Sequence, residues 1–76
     1  MIEVKLPPIA EGVEKANISY WHRSVGDKVR EGEDLVELVT EKATFNIPAT
    51  ASGILKEVLA LEGDEVVVGQ VLAKIE

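Results

Sequence analysis

Two glycine-marked segments, Val25-Gly26-Asp27-Lys28-Val29-Arg30-Glu31-Gly32 and Glu62-Gly63-Asp64-Glu65-Val66-Val67-Val68-Gly69, repeat one pattern along the chain. Gly26 and Gly63 lie 37 positions apart, and so do Gly32 and Gly69. Carried outward, that offset sets Ile18 on Leu55, Trp21 on Val58, Val29 on Val66, Leu35 on Leu72 and Leu38 on Ile75. Apolar falls on apolar each time. The offset is close to half of the 76 residues, so the chain reads as two copies of one unit, neither able to bury its apolar face alone. The two halves are expected to interlock. Carried to the N-terminus, the same offset sets Lys5 on Lys42.

The unit is built from strands. Ile2-Glu3-Val4-Lys5-Leu6 alternates apolar and charged with period two, the mark of a strand with one buried face, and Pro7-Pro8 ends it. Residues 7–14, with two prolines and Gly12, read as a surface loop anchored by Ile9 or Val13. Residues 17–23 carry the β-favouring Ile18, Tyr20 and Trp21, and Trp21 is expected in the core. One segment conflicts: Ile54, Leu55, Val58, Leu59 and Leu61 have near-helical spacing among helix-favouring neighbours. Its repeat partner has strand composition, and Gly53 and Gly63 leave room for only about two helical turns, too few for a stable helix. Strand is therefore expected there too. The sum is eight or so short strands punctuated by glycine, which makes a small all-β barrel or sandwich.

A domain this short buries only about 60% of its unfolded surface. Its 46% hydrophobic content is mostly Val, Leu, Ile and Ala, with Tyr20, Trp21 and Phe45 as the aromatics, so sheet packing has to stabilise it. There is no cysteine, hence no disulfide or thiolate–metal framework. A net charge of -6 argues against nucleic acid, whose phosphates need Lys and Arg, and favours basic protein surfaces as contacts. No apolar stretch is long enough to span a bilayer, and the chain enters a strand pattern at once without a charged and apolar leader. A soluble domain is expected, one unit over residues 1–76, not bound to membrane, in the cytoplasm or, for a processed eukaryotic fragment, the mitochondrial matrix.

Between the repeats lies Lys42, flanked by Glu41 and Ala43, with a Leu- and Val-rich run over residues 34–40 before it and Thr44, Phe45 and Ile47 after it. Both runs read as strands, so Lys42 is expected at the tip of a hairpin. There an ammonium projects into water and a modifying enzyme can reach it without unfolding the sheet. Machinery for catalysis is sparse. His22 and Ser24 share a strand face but have no strained nucleophile turn or oxyanion motif, one histidine without cysteine cannot hold zinc, and Glu31, Glu33, Asp34 and Glu37 lack the spacing of a calcium loop. The chain has the composition of something acted upon.

With these features placed, the sequence resembles a lipoyl domain of the dihydrolipoamide acyltransferase (E2) of a 2-oxoacid dehydrogenase complex, over essentially its whole length. The family's Leu-Pro-Asp-Ile-Gly-Glu-Gly element corresponds to Leu6-Pro7-Pro8-Ile9-Ala10-Glu11-Gly12, with Pro8 and Ala10 in place of Asp and Gly. Its Trp and Gly-Asp correspond to Trp21, Gly26 and Asp27, and its Asp-Lys-Ala attachment motif corresponds to Glu41-Lys42-Ala43. The resemblance implies a barrel-sandwich hybrid, two interlocked four-stranded antiparallel sheets with pseudo-two-fold symmetry. It implies lipoic acid joined covalently to Lys42 by a lipoate ligase or lipoyl transferase, with Glu41 and Ala43 as flanks of the modification motif. It also implies a swinging arm without catalytic residues of its own, visiting a thiamin-dependent 2-oxoacid decarboxylase (E1), the acyltransferase catalytic domain and dihydrolipoyl dehydrogenase (E3). Pro8, Ile9, Ala10, Glu11 and Gly12 are then the partner-recognition loop. Related biotinyl domains have methionine on both sides of the lysine; Glu41 and Ala43 favour lipoyl over biotinyl. A biotinyl carrier and an unmodified interaction module on the same barrel are the competing readings.

Overall fold

A computed structural model describes residues 1–9 and 11–76. Among them run eight strands: β1 (Ile2–Lys5), β2 (Lys15–Trp21), β3 (Lys28–Val29), β4 (Asp34–Val39), β5 (Thr44–Pro48), β6 (Gly53–Val58), β7 (Glu65–Val67) and β8 (Val71–Ile75). They form two four-stranded sheets, ordered β1-β8-β6-β3 and β5-β4-β2-β7, with every pairing antiparallel. Each sheet takes two strands from each half of the chain, so neither half closes a sheet by itself. Advancing every strand by four turns the first order into the second, which is the pseudo-two-fold that the repeat predicts.

The symmetry holds to the residue. Ile18 faces Leu38 as Leu55 faces Ile75, and each strand has its register slip at the next step, between Ile18 and Tyr20 in β2 and between Leu55 and Glu57 in β6. The glycine turns match as well. Gly63 donates to the Ile18 carbonyl as Gly26 donates to that of Leu55, with φ of 93° and 96°, a left-handed backbone that glycine adopts without a Cβ clash. Ile18, Val29, Leu35 and Leu38 and their partners Leu55, Val66, Leu72 and Ile75 are all buried between the sheets. Trp21 and Val58 pack on the margin of this core rather than inside it. The one polar group of the Trp21 side chain, its indole N–H, donates to the Ala60 carbonyl at 2.8 Å.

The first strand departs from the repeat as read in the sequence. Val4 faces Ala73 as Ile47 faces Val36, and Lys5 faces Val71 as Pro48 faces Asp34, so β1 matches β5 at an offset of 43. Lys5 is therefore the counterpart of Pro48, not of Lys42. The physical reason is the first loop: nine residues separate Leu6 from Ala16, whereas three separate their counterparts Ala49 and Gly53. Among the described residues Lys42 has no counterpart. The connection from β4 to β5 occupies the place that, across the symmetry axis, lies between the end of β8 and the start of β1.

The segment with helical spacing is a strand up to Val58, as its repeat partner requires. Leu55 is buried, and beyond the strand Leu59 and Leu61 are exposed at the following turn. Helix formation would leave β8 without the neighbour that β6 provides on its inner side.

Candidate functional site

The last ladder pair of the β4–β5 hairpin is Val39 with Thr44, and residues 40–43 form the tip. Thr40 organises it. The Thr40 N–H donates to the Ala43 carbonyl at 2.9 Å, the first half of a further ladder pair. The other half is missing, because the Ala43 N–H goes to the Thr40 hydroxyl oxygen at 3.1 Å. That same oxygen accepts the Lys42 N–H at 3.2 Å, while the hydroxyl proton goes to the Ala43 carbonyl at 3.0 Å. One donor and two acceptor sites are all that a hydroxyl has, so the side chain is saturated.

The sequence-predicted residues Glu41, Lys42 and Ala43 are all exposed at this tip. Among the described residues the Lys42 ammonium has no ion pair and no hydrogen bond, so no contact has to be broken before the amine reacts. Beside it opens a cleft of about 750 Å³ lined by Gly12 to Asn17, Val39 to Lys42 and Glu65. The Lys15 ammonium and the Glu65 carboxylate pair across its wall at 3.6 Å. The first loop thus reaches the lysine through Gly12, Val13 and Glu14. Both ends of that loop are tied to the turn after β7: Leu6 exchanges hydrogen bonds with Gly69 and Gln70, and Val68 donates to the Glu14 carbonyl.

Of the predicted recognition residues that are described, only Gly12 lines the cleft with Lys42. Pro8 and Glu11 are exposed elsewhere on the loop, and Ile9 is half-buried against the core, the anchor that the loop was expected to have. Ala10 lies outside the described residues. Thr40, Glu14, Lys15, Asn17 and Glu65 were not singled out by sequence reasoning. For Thr40 a signal existed: threonine two positions before a loop tip is the pattern of a side chain that bonds the backbone ahead of it.

His22 does not meet Ser24. Its Nε2 is 2.9 Å from the side-chain oxygen of Asn46 on β5, and the Tyr20 ring stands edge-on to it at 5.3 Å. The Ser24 N–H is instead bonded to the Asp27 carboxylate at 2.8 Å. Within the acidic cluster, the Glu33 carboxylate accepts from Arg23 Nε at 2.7 Å. That hydrogen bond holds the Glu33 carboxyl below the usual carboxylate range and raises the Arg23 guanidinium above its own.

This geometry has known relatives. The biotin/lipoyl family model described as "Biotin-requiring enzyme" matches residues 2–75. The chain belongs to that family. It is 44% identical over 75 residues to the dihydrolipoyllysine-residue succinyltransferase component of the 2-oxoglutarate dehydrogenase complex of Staphylococcus saprophyticus, covering 99% of this chain and 18% of that protein. It is 38% identical over 76 residues to the dihydrolipoyllysine-residue acetyltransferase component of the pyruvate dehydrogenase complex of Acholeplasma laidlawii, covering 100% of this chain and 14% of that one. The chain therefore spans less than a fifth of the length of these relatives. Among solved structures, the lipoyl domain of the 2-oxoglutarate dehydrogenase complex of Azotobacter vinelandii superposes with a TM-score of 0.78 at 30% identity, covering 100% of this chain and 96% of that one. The solved lipoyl domain thus shares the two-sheet architecture over essentially the whole of this chain.

Proposed function

We infer that the chain is a lipoyl carrier domain of a 2-oxoacid dehydrogenase acyltransferase, loaded on Lys42. The observation that carries this is the exposed, unpartnered ammonium at a hairpin tip whose backbone is already satisfied by Thr40. Names of the relatives, and the likeness to a lipoyl domain across the whole chain, support lipoyl as the group.

The residues at the tip fit a covalently attached acid. An amide to Nζ needs an amine that the modifying enzyme can reach, and among the described residues no carboxylate pairs with Lys42. Loading removes one positive charge from a surface where Glu14, Glu41 and Glu65 also face the cleft. When bound, the group supplies a disulfide that can carry an acyl group and two electrons on a flexible stem. The chain's own part is position. Thr40 fixes the tip, the two sheets hold the tip away from the chain ends, and the loop from Pro8 to Gly12 presents a surface that partners can tell apart. Catalytic groups come from the partners: a thiamin-dependent decarboxylase, the acyltransferase catalytic domain and dihydrolipoyl dehydrogenase. With the chain on a flexible tether, each transfer is effectively intramolecular, at local concentrations of about millimolar.

The test is intact mass. Incubation with lipoate ligase, lipoic acid and ATP is expected to add one lipoyl increment, incubation with biotin ligase and biotin none, and Lys42→Arg should remove the lipoyl increment. A biotin increment, no increment from either ligase, or lipoylation that survives Lys42→Arg overturns the reading.

A further inference from the structure

We propose that Thr40 is a positioning residue for the loading of Lys42, acting through its hydroxyl on the backbone of the hairpin tip. The inference rests on the carrier reading above and names a residue on which that reading depends.

Two-residue hairpin tips ordinarily use turns with φ > 0 at one or both corner residues, because those turns match the twist of the strands; Gly or Asn then sits at the corner. Here the corner residues are Glu41 and Lys42, and among the described residues only glycines have positive φ. The tip is therefore closed without a left-handed corner residue. What holds it is one oxygen. Three of the four hydrogen bonds at the tip pass through Thr40 Oγ1, and one of them fixes the N–H of Lys42 itself. Because a residue's Cα–Cβ bond is set by its own backbone, pinning the Lys42 N–H and the Ala43 N–H to a common oxygen fixes the direction in which the lysine side chain leaves the turn. An enzyme that must bring Nζ to a bound acyl donor gains from this, since a displacement of about 1 Å in a reacting group can cost about 10²-fold in rate. Thr40 is only half-buried, so the hydroxyl has no role in the core that would explain it otherwise.

Thr40→Val removes the oxygen while keeping the size and the β-branched shape that suit a strand end, and Thr40→Ser keeps the oxygen. Initial rates of lipoylation by lipoate ligase, followed by intact mass, are expected to fall about tenfold or more in Thr40→Val and to stay within about twofold of wild type in Thr40→Ser. Amide hydrogen exchange at Lys42 and Ala43 should quicken in the valine variant alone, with exchange in the core strands unchanged. Loading of Thr40→Val at the wild-type rate, or equal slowing of both variants, overturns the proposal, as does unchanged exchange at the two amides. Failure of the carrier reading looks different: the wild-type protein itself then gains no lipoyl mass.

Discussion

Ala16 and Gly53 hold the same place in the two halves, facing Val66 and Val29 respectively, and only Ala16 carries a Cβ. At Gly53 a Cβ would meet the main-chain oxygen of Glu76 closer than packed atoms come and would crowd the Glu76 carbon and the Cγ2 of Ile75. The end of the chain closes over this glycine through a reciprocal pair, Ile54 N–H to the Glu76 oxygen at 2.9 Å and Glu76 N–H to the Ile54 oxygen at 3.0 Å. The related strand, β4, instead runs on into the Lys42 hairpin.

Gly53→Ala should therefore destabilise the domain by about 1–3 kcal/mol, as overpacking against backbone does, because a main-chain oxygen cannot swing aside as a side chain can. Ala16→Gly should cost about 0.5–1 kcal/mol through backbone entropy. Urea denaturation of the two variants measures the difference. A Gly53→Ala variant as stable as wild type would mean that the terminal pair opens at little cost.

Leu55 is wholly buried between the sheets, opposite Ile75. Truncation to alanine leaves a cavity that antiparallel neighbours on both sides keep from collapsing, so Leu55→Ala should cost about 2–5 kcal/mol. In a small domain that is a large share of the total stability, and a lowered denaturation midpoint with partial unfolding at 37 °C is expected. Leu61→Ala, at an exposed leucine of the neighbouring turn, should change the midpoint little.

Arg23 and Glu33 join the turn after β2 to the turn before β4. Hydrogen bonding to Arg23 keeps the Glu33 carboxyl below its ordinary range. A carboxyl with a lowered folded-state pKa adds stability that is present above the unfolded-state value and is lost as pH falls through the folded-state value. Wild type should thus exceed Glu33→Gln in stability at pH 7, the gap should begin to close below about pH 5, and it should vanish at more acid pH. Because both groups face solvent, the gap should be small and should shrink further in high salt. Denaturation midpoints of the two proteins across pH measure it; a gap that widens as pH falls contradicts the pairing.

The repeat was legible because turns need glycine and the core needs apolar residues at matching places, and both requirements leave marks at fixed spacing. Gly26 with Gly63 and Ile18 with Leu55 sufficed to assign the strand that helical propensity around Leu55 to Leu61 obscures. The β1 relation was hidden because the longer first loop shifts its offset, and nothing in Ile2 to Leu6 alone tells 43 from 37. The place of Lys42 and its flanks at a hairpin tip was legible from strand composition on both sides. The contribution of Thr40 was harder to see, since it lies in hydrogen bonds to the backbone of residues whose identity does not matter to it. The cleft wall from Lys15 to Asn17 and Glu65 comes from strands far apart in sequence, which only the folded register brings together.

Glu41 and Lys42 occupy the two corners of one tip, but the Thr40 hydroxyl oxygen accepts the N–H of Lys42 and of Ala43 and not that of Glu41. The two corners are thus held unequally. Exchanging them, Glu41→Lys with Lys42→Glu, keeps composition, net charge and the number of exposed amines. Long-range attraction to the modifying enzyme should be nearly unchanged. If position governs, lipoylation of the exchanged protein should be slower by about 10²-fold, the loss that misplacement of a reacting group by about 1 Å produces. Time courses of intact mass at equal ligase concentration measure this. Equal rates would mean that the ligase reads exposure and charge alone, and that a lysine anywhere on this tip would serve.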